Sequence, residues 1–85
     1  MHSATLDSLA VGQQGRITAL TGASDVRRRL MEMGLVPGTT LRVARFAPLG
    51  DPIDIEVRGY HLSLRKQEAR QVLVKGPGVS ERVGR

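Results

Sequence analysis

Two histidines, His2 and His61, and no cysteine are what this chain offers for imidazole or thiolate metal ligation. A mononuclear ferrous site takes two His and one carboxylate. His2 stands next to Met1, while His61 shares the polar side of an alternating segment with Ser63 and Arg65. One well-placed imidazole cannot complete that set within a monomer, so no metal site is expected. Asp54 and Glu56 are two residues apart, which puts both carboxylates on one face of a strand. Acid–base work would need a cleft that raises one of their pKa values. Arg58, next along the same face, favours their charged forms instead, so an ion-paired, solvated exterior is expected. No Gly-x-Ser-x-Gly elbow and no spaced Ser–His pairing occurs. Gly12-Gln13-Gln14-Gly15 runs on into Arg16-Ile17, without the Lys and Ser/Thr that hold phosphate and Mg²⁺ in a P-loop. No catalytic residue and no cofactor is therefore nominated, and the chain reads as a binding or regulatory module rather than an enzyme.

Contact chemistry is better represented. Arg27-Arg28-Arg29 forms a cationic run within a helical pattern. Val26, Leu30 and Met33 recur at i, i+4 and i+7 and mark the core face. That leaves Arg27, Arg28 and Met31 on the far side, and a methionine among arginines suits an adaptable partner surface. Leu49 stands at the tip of Pro48-Leu49-Gly50-Asp51, a second exposed apolar position. Arg27, Arg28, Met31 and Leu49 are the expected partner-binding residues. The 13 Lys and Arg outnumber the 8 Asp and Glu, for a net charge of +5. Such a balance permits nucleic acid, anionic lipid or an acidic protein face as partner. With Phe46 and Tyr60 as the only aromatics, stacking on single-stranded nucleic acid is poorly served. Nucleic acid is not expected, although a basic small-barrel nucleic-acid binder stays the alternative. Self-assembly into a homo-oligomer through barrel edges or Met31 is the other.

The elements that must position these residues are legible in part. Leu6, Leu9 and Val11 suggest a short lead-in packed on the core. Arg16–Leu20 reads as a first strand, rich in β-branched residues. Ser24 or Asp25 is a suitable N-cap for a helix over Asp25–Met33. Gly34 then sits where a left-handed residue ends a helix, with Leu35 placed for a Schellman contact on Leu30, and Pro37 prevents a restart. Thr40–Phe46 reads as a strand. Ile53, Ile55 and Val57 alternate strictly with Asp54, Glu56 and Arg58, the pattern of a half-buried strand. Gly59 allows a reversal into Tyr60, Leu62 and Leu64, which alternate with His61, Ser63 and Arg65. Lys66–Arg70 suits a single helical turn, and Gln71–Lys75 a last strand. About five strands, one inserted α-helix and a short helical turn predict a mainly β small barrel, because closure removes exposed edges. One domain over residues 1–75 is expected, followed by a disordered tail over 76–85 whose Gly, Pro and charged residues keep no period. The start lacks the basic and apolar regions of a signal peptide, and no apolar run approaches the ~20 residues of a membrane helix. The absence of cysteine fits a reducing compartment.

The run Leu30-Met31-Glu32-Met33-Gly34-Leu35-Val36-Pro37-Gly38-Thr39, then Ala47-Pro48-Leu49-Gly50-Asp51-Pro52, then Val57-Arg58-Gly59-Tyr60-His61-Leu62-Ser63-Leu64-Arg65, resembles the FeoA family. The resemblance extends from about Leu6 to Lys75, with the motifs in family order. It implies an SH3-like barrel in a small cytoplasmic protein that accompanies FeoB, a ferrous-iron transporter with a cytosolic GTPase domain. The same barrel also closes iron-dependent repressors of the DtxR type. No winged-helix segment precedes it here, which favours the transport accessory. On that resemblance the expected partner is the cytosolic GTPase region of a FeoB-like transporter. Gly34, Pro37, Gly38, Gly50 and Gly59 serve turns and the helix stop.

Overall fold

The computed structural model describes residues 4–76. The proposed tail, apart from Gly76, lies outside the described residues, as does His2. In chain order the elements are β1 (Ala4–Thr5), a 3₁₀ turn (Leu6–Ser8), β2 (Gln14–Leu20), α1 (Ser24–Glu32), β3 (Thr40–Phe46), β4 (Ile53–Val57), β5 (Tyr60–Leu64), α2 (Lys66–Ala69) and β6 (Val72–Lys75). The strands form one sheet in the order β1-β6-β2-β3-β4-β5, with every neighbouring pair antiparallel. The fold is mainly β, as expected, with six strands rather than about five. The additional one is β1, where Ala4 faces Val74 and Thr5 faces Leu73. Two residues carry no readable period, so nothing in the sequence announces it.

The alternating patterns fill the interior. Ile53, Ile55 and Val57 from β4 are fully buried, and Leu41, Val43, Val72 and Val74 join them from β3 and β6. Leu6 and Leu9 close one end of this core, but Val11, grouped with them in the sequence reading, is 59% exposed. It belongs to the turn into β2, and Gly12 rather than Val11 donates to the Val43 carbonyl. The suspect glycine loop also resolves into packing. β2 begins earlier than Arg16, with Gln14 and Gly15 paired to Arg42 and Leu41. A Cβ on Gly15 would stand 3.0 Å from Val74 Cβ and 3.3 Å from Leu9 Cδ1, so the residue is small because two core side chains cross over it.

Helix α1 starts one residue earlier than expected. Ala23, in an extended conformation, is the N-cap and accepts the first intrahelical bond from Arg27. Ser24 is already helical, and the Asp25 carboxylate reaches only its neighbour's amide, that of Val26, at 2.9 Å. The C-terminus follows the expected stop. Leu35 N donates to Leu30 O at 3.1 Å and Gly34 N to Met31 O at 2.9 Å, the paired bonds of a Schellman motif. Leu30 and Leu35 are both fully buried, which supplies its apolar contact.

β4 and β5 form a two-residue hairpin in which Val57 faces Tyr60. Arg58 (φ 51°) and Gly59 (φ 86°) are both left-handed, the geometry of a type I′ turn. Arg58 therefore leaves the Asp54/Glu56 face on which the sequence placed it. Its guanidinium donates instead to Thr39 Oγ1 at 3.1 Å, and Thr39 is the buried polar residue of the core. After β5 the Glu68 carboxylate accepts from Arg65 N at 2.9 Å and opens α2. Among the described residues no helix is long and apolar enough to cross a membrane.

Candidate functional site

The outer face of α1 is presented by its inner one. Leu30 is fully buried, and Val26 and Met33 pack against the same core. A 100° step per residue then turns Arg27, Arg28 and Met31 outward, and all three are exposed. The arginine run divides by role. Arg29 pairs with Glu68 of α2 at 2.8 Å and ties the helix down. The side chains of Arg27 and Arg28 make no hydrogen bond or ion pair among the described residues. Met31, at 42% exposed, lies beside them.

A second tie holds the other end of α1. Tyr60 Oη donates to the Met33 carbonyl at 2.8 Å, taking up one of the free acceptors at the helix C-terminus. The sequence reading treated Tyr60 as an inward member of the β5 alternation, yet it is 41% exposed. Hairpin spacing carries no signal of this contact, because the partner is a backbone carbonyl 27 residues away.

Leu49 is 95% exposed at the tip of the β3–β4 loop. Gly50 N donates to Ala47 O at 2.7 Å and closes the turn. The Asp51 carboxylate accepts from Lys66 N at 3.0 Å, anchoring the loop to the start of α2. The four expected contact residues thus fall in two places. α1 and the loop are each fastened to α2, through Glu68 and Lys66, and no hydrogen bond or ion pair joins them directly among the described residues. Each is an apolar side chain held out on a braced backbone.

The carboxylate face is built for ion pairing. Asp54 accepts from the Ser63 hydroxyl and from Arg45 Nε, the latter at 2.9 Å. The Ser63 hydrogen bond, then the Arg45 one, holds the Asp54 carboxyl below its usual value. Glu56 pairs with Arg42. The Asp54 carboxyl is thereby held toward its charged form, the opposite of what a general acid needs. His61 is exposed and faces Glu56 across the strands. No group of three or more His, Cys, Asp or Glu among the described residues is placed to hold a metal ion.

Comparison with known proteins is consistent with this geometry. The FeoA domain model matches residues 4–76. An Fe(2+) transport protein A/Fe(2+) transporter FeoB fusion protein of Porphyromonas gingivalis is 37% identical over 70 residues, which is 82% of this chain and 8% of the fusion. The chain therefore spans a small fraction of that relative's length. A FeoA-like protein of Clostridium acetobutylicum, solved by NMR, superimposes with TM-score 0.85 at 34% identity, covering 100% of this chain and 99% of the other. The crystal structure of Stenotrophomonas maltophilia FeoA complexed with zinc, described as a prokaryotic SH3 domain protein, gives TM-score 0.76 at 29% identity over 88% of this chain and 93% of that one. The barrel is accordingly SH3-like.

Proposed function

Because this chain belongs to the FeoA domain family, we propose that it is a non-enzymatic, cytoplasmic accessory of bacterial ferrous iron transport that docks on a FeoB-type transporter and modulates it. The observation that carries this reading is the Porphyromonas gingivalis fusion, in which a relative of this chain is joined covalently to a transporter of that name. Fusion holds two modules at high effective concentration. Where the domain is not fused, a contact surface has to replace that tether. The outer face of α1 has the chemistry for one: two arginines without partners among the described residues, flanking an exposed methionine. Leu49 adds a separate apolar anchor on a braced loop. Interface cores are enriched in methionine and arginine, and a few positions carry most of the binding energy. The action is mechanical rather than chemical, because the Asp54 and Glu56 carboxylates are held in ion pairs with Arg45 and Arg42. Docking would influence the assembly or the GTPase cycle of the transporter through contact.

The test is an amide NMR titration of the labelled protein with the cytosolic domain of a FeoB-type transporter, run with a GTP analogue and with GDP. Shifts confined to α1 and the Leu49 loop are expected, and a difference between the two nucleotides marks regulation of the GTPase. Replacing Arg28 and Met31 together with Glu should weaken binding by about tenfold or more, the worth of one lost hot-spot contact. An affinity unchanged by that double substitution, with the fold intact, removes α1 from the interface. No shifts with either nucleotide removes the GTPase region as the partner.

A further inference from the structure

Among the described residues β5 is the outermost strand on its side of the sheet, and its outer edge carries hydrogen-bonding groups that no other described residue takes up. In a two-residue hairpin the closing pair, here Val57 and Tyr60, exchanges its bonds inward. Alternation then turns the N–H and C=O groups of His61 and Ser63 outward. None of the turn, loop or side-chain hydrogen bonds of the described residues takes them up. The opposite edge, β1, is only two residues long. Small β proteins blunt an exposed edge with lysine, proline or a bulge. Tyr60-His61-Leu62-Ser63-Leu64 has none of these, and its pairing with β4 runs without a register shift, unlike the β2–β6 and β3–β4 pairings.

We infer that the free edge of β5 is a strand-pairing surface that takes β5 of a second copy of this chain, antiparallel about a two-fold axis through Leu62. In that register His61 of each copy lies opposite Ser63 of the other, so the outward groups of both residues are satisfied reciprocally. The half-buried Leu62 meets its own equivalent on the axis. Charge also favours this occupant. Within one chain Arg42, Glu56 and His61 face one another across β3, β4 and β5, and Arg45, Asp54 and Ser63 form the next row. Joining two copies makes one ladder: Arg42, Glu56, His61, then Ser63, Asp54 and Arg45 of the second copy. Nowhere along it do like charges stand opposite, and each imidazole falls between Glu56 of its own chain and Ser63 of the other. A strand of another composition would have to supply this match; a second copy brings it by symmetry. Pairing through one five-residue edge makes a small contact, so the association is transient and concentration-driven.

The test uses the full chain. Sedimentation should show the average mass rising from 9.2 kDa toward the dimer as concentration increases. Over the same range the His61 and Ser63 amides should shift and exchange more slowly with solvent. His61→Pro removes one outward N–H at an edge position that tolerates proline, and should keep the chain monomeric with an otherwise folded spectrum. The amide measurement on the unsubstituted protein stands even where that variant does not fold. A mass that stays monomeric at every concentration overturns the proposal. So do concentration-dependent shifts confined to α1, the Leu49 loop or β1, and so does protection of the β5 amides that appears only when a different protein is added.

Discussion

Gly34 and Tyr60 form a two-residue lock whose energetics can be worked out in advance. Gly34 lies at φ +97°, a conformation that costs a side-chain-bearing residue roughly 1–2 kcal/mol. A Cβ placed there would also stand 2.4 Å from Tyr60 Oη, closer than any tolerated contact. Tyr60 would have to withdraw, breaking its 2.8 Å bond to the Met33 carbonyl, a net loss of about 1 kcal/mol. Gly34→Ala should therefore destabilise the protein by about 2–3 kcal/mol. Tyr60→Phe alone should cost about 1 kcal/mol, at most, because the ring is 41% exposed and water replaces part of the bond.

The double variant separates the two causes. With the hydroxyl gone, the nearest tyrosine atom to the new Cβ is ring Cζ at 3.7 Å, ordinary van der Waals contact. The hydrogen bond can be lost only once, so the pair should cost about 2–3 kcal/mol rather than the ~3–4 of a simple sum. Urea unfolding of the four proteins at a common m-value measures this coupling, provided each transition is two-state. Additivity to within ~0.3–0.5 kcal/mol would refute the reasoning. It would mean that the backbone alone excludes alanine and that Tyr60 yields without losing its acceptor.

Three other perturbations bear on separate parts of the molecule. Leu30→Ala empties a fully buried site and should cost about 2–5 kcal/mol, whereas Met31→Ala, one residue on and exposed, should change stability by under ~0.5 kcal/mol; chemical denaturation of both checks the assignment of helix faces. Leu49→Ser should leave the unfolding midpoint within the same ~0.5 kcal/mol while weakening binding to the transporter domain, and calorimetric titration reads the second effect. Ser63→Ala removes the main cause of the lowered Asp54 pKa, so the Asp54 carboxyl should titrate at higher pH by NMR. Its sign in stability follows: a lowered native pKa stabilises above the unfolded value of ~3.9 and is lost as pH falls through the native one. The gap between variant and parent should be present at neutral pH and shrink in acid.

What the sequence revealed follows from how local each signal is. The helix stop was readable because Gly34, Leu35 and Pro37 act on their immediate neighbours, and the Schellman bonds fall where the spacing put them. β4 was readable because Ile53, Ile55 and Val57 alternate without interruption. The N-cap falls at Ala23 although Ser24 and Asp25 are both good cap residues, because no side-chain cap bond is made and the first helical bond runs to the Ala23 carbonyl. Arg58 was misplaced because an arginine in a strand pattern gives no hint of a left-handed turn residue; Gly59 was taken to supply that geometry alone. The contacts of Tyr60 and Arg29 were not legible for a different reason. Their partners, Met33 O and Glu68, are distant in sequence, and only the closed fold brings them near. At the candidate site, the outward positions of Arg27, Arg28 and Met31 followed from helical period, while the bracing that makes them a defined surface did not.

That bracing links the two surfaces proposed here. Ion pairs such as Arg45–Asp54 and Arg42–Glu56 involve arginines that are 68% and 46% exposed, so each adds little to stability. The pose of α1 rests instead on buried Leu30 and on the Tyr60 contact at its C-terminus. Tyr60 is at once the first residue of the free edge strand and the clamp on the helix C-terminus. A strand seated along β5 lies beside Tyr60, and whatever fixes that ring in its helix-bound rotamer also fixes the end of the helix that presents Met31. Coupling of this kind is reciprocal. A partner gripping α1 would then alter the strength of β5 pairing by the same factor as β5 pairing alters the grip on α1. Tyr60→Phe, which leaves both surfaces in place and removes only the bond between them, should bring that factor toward one.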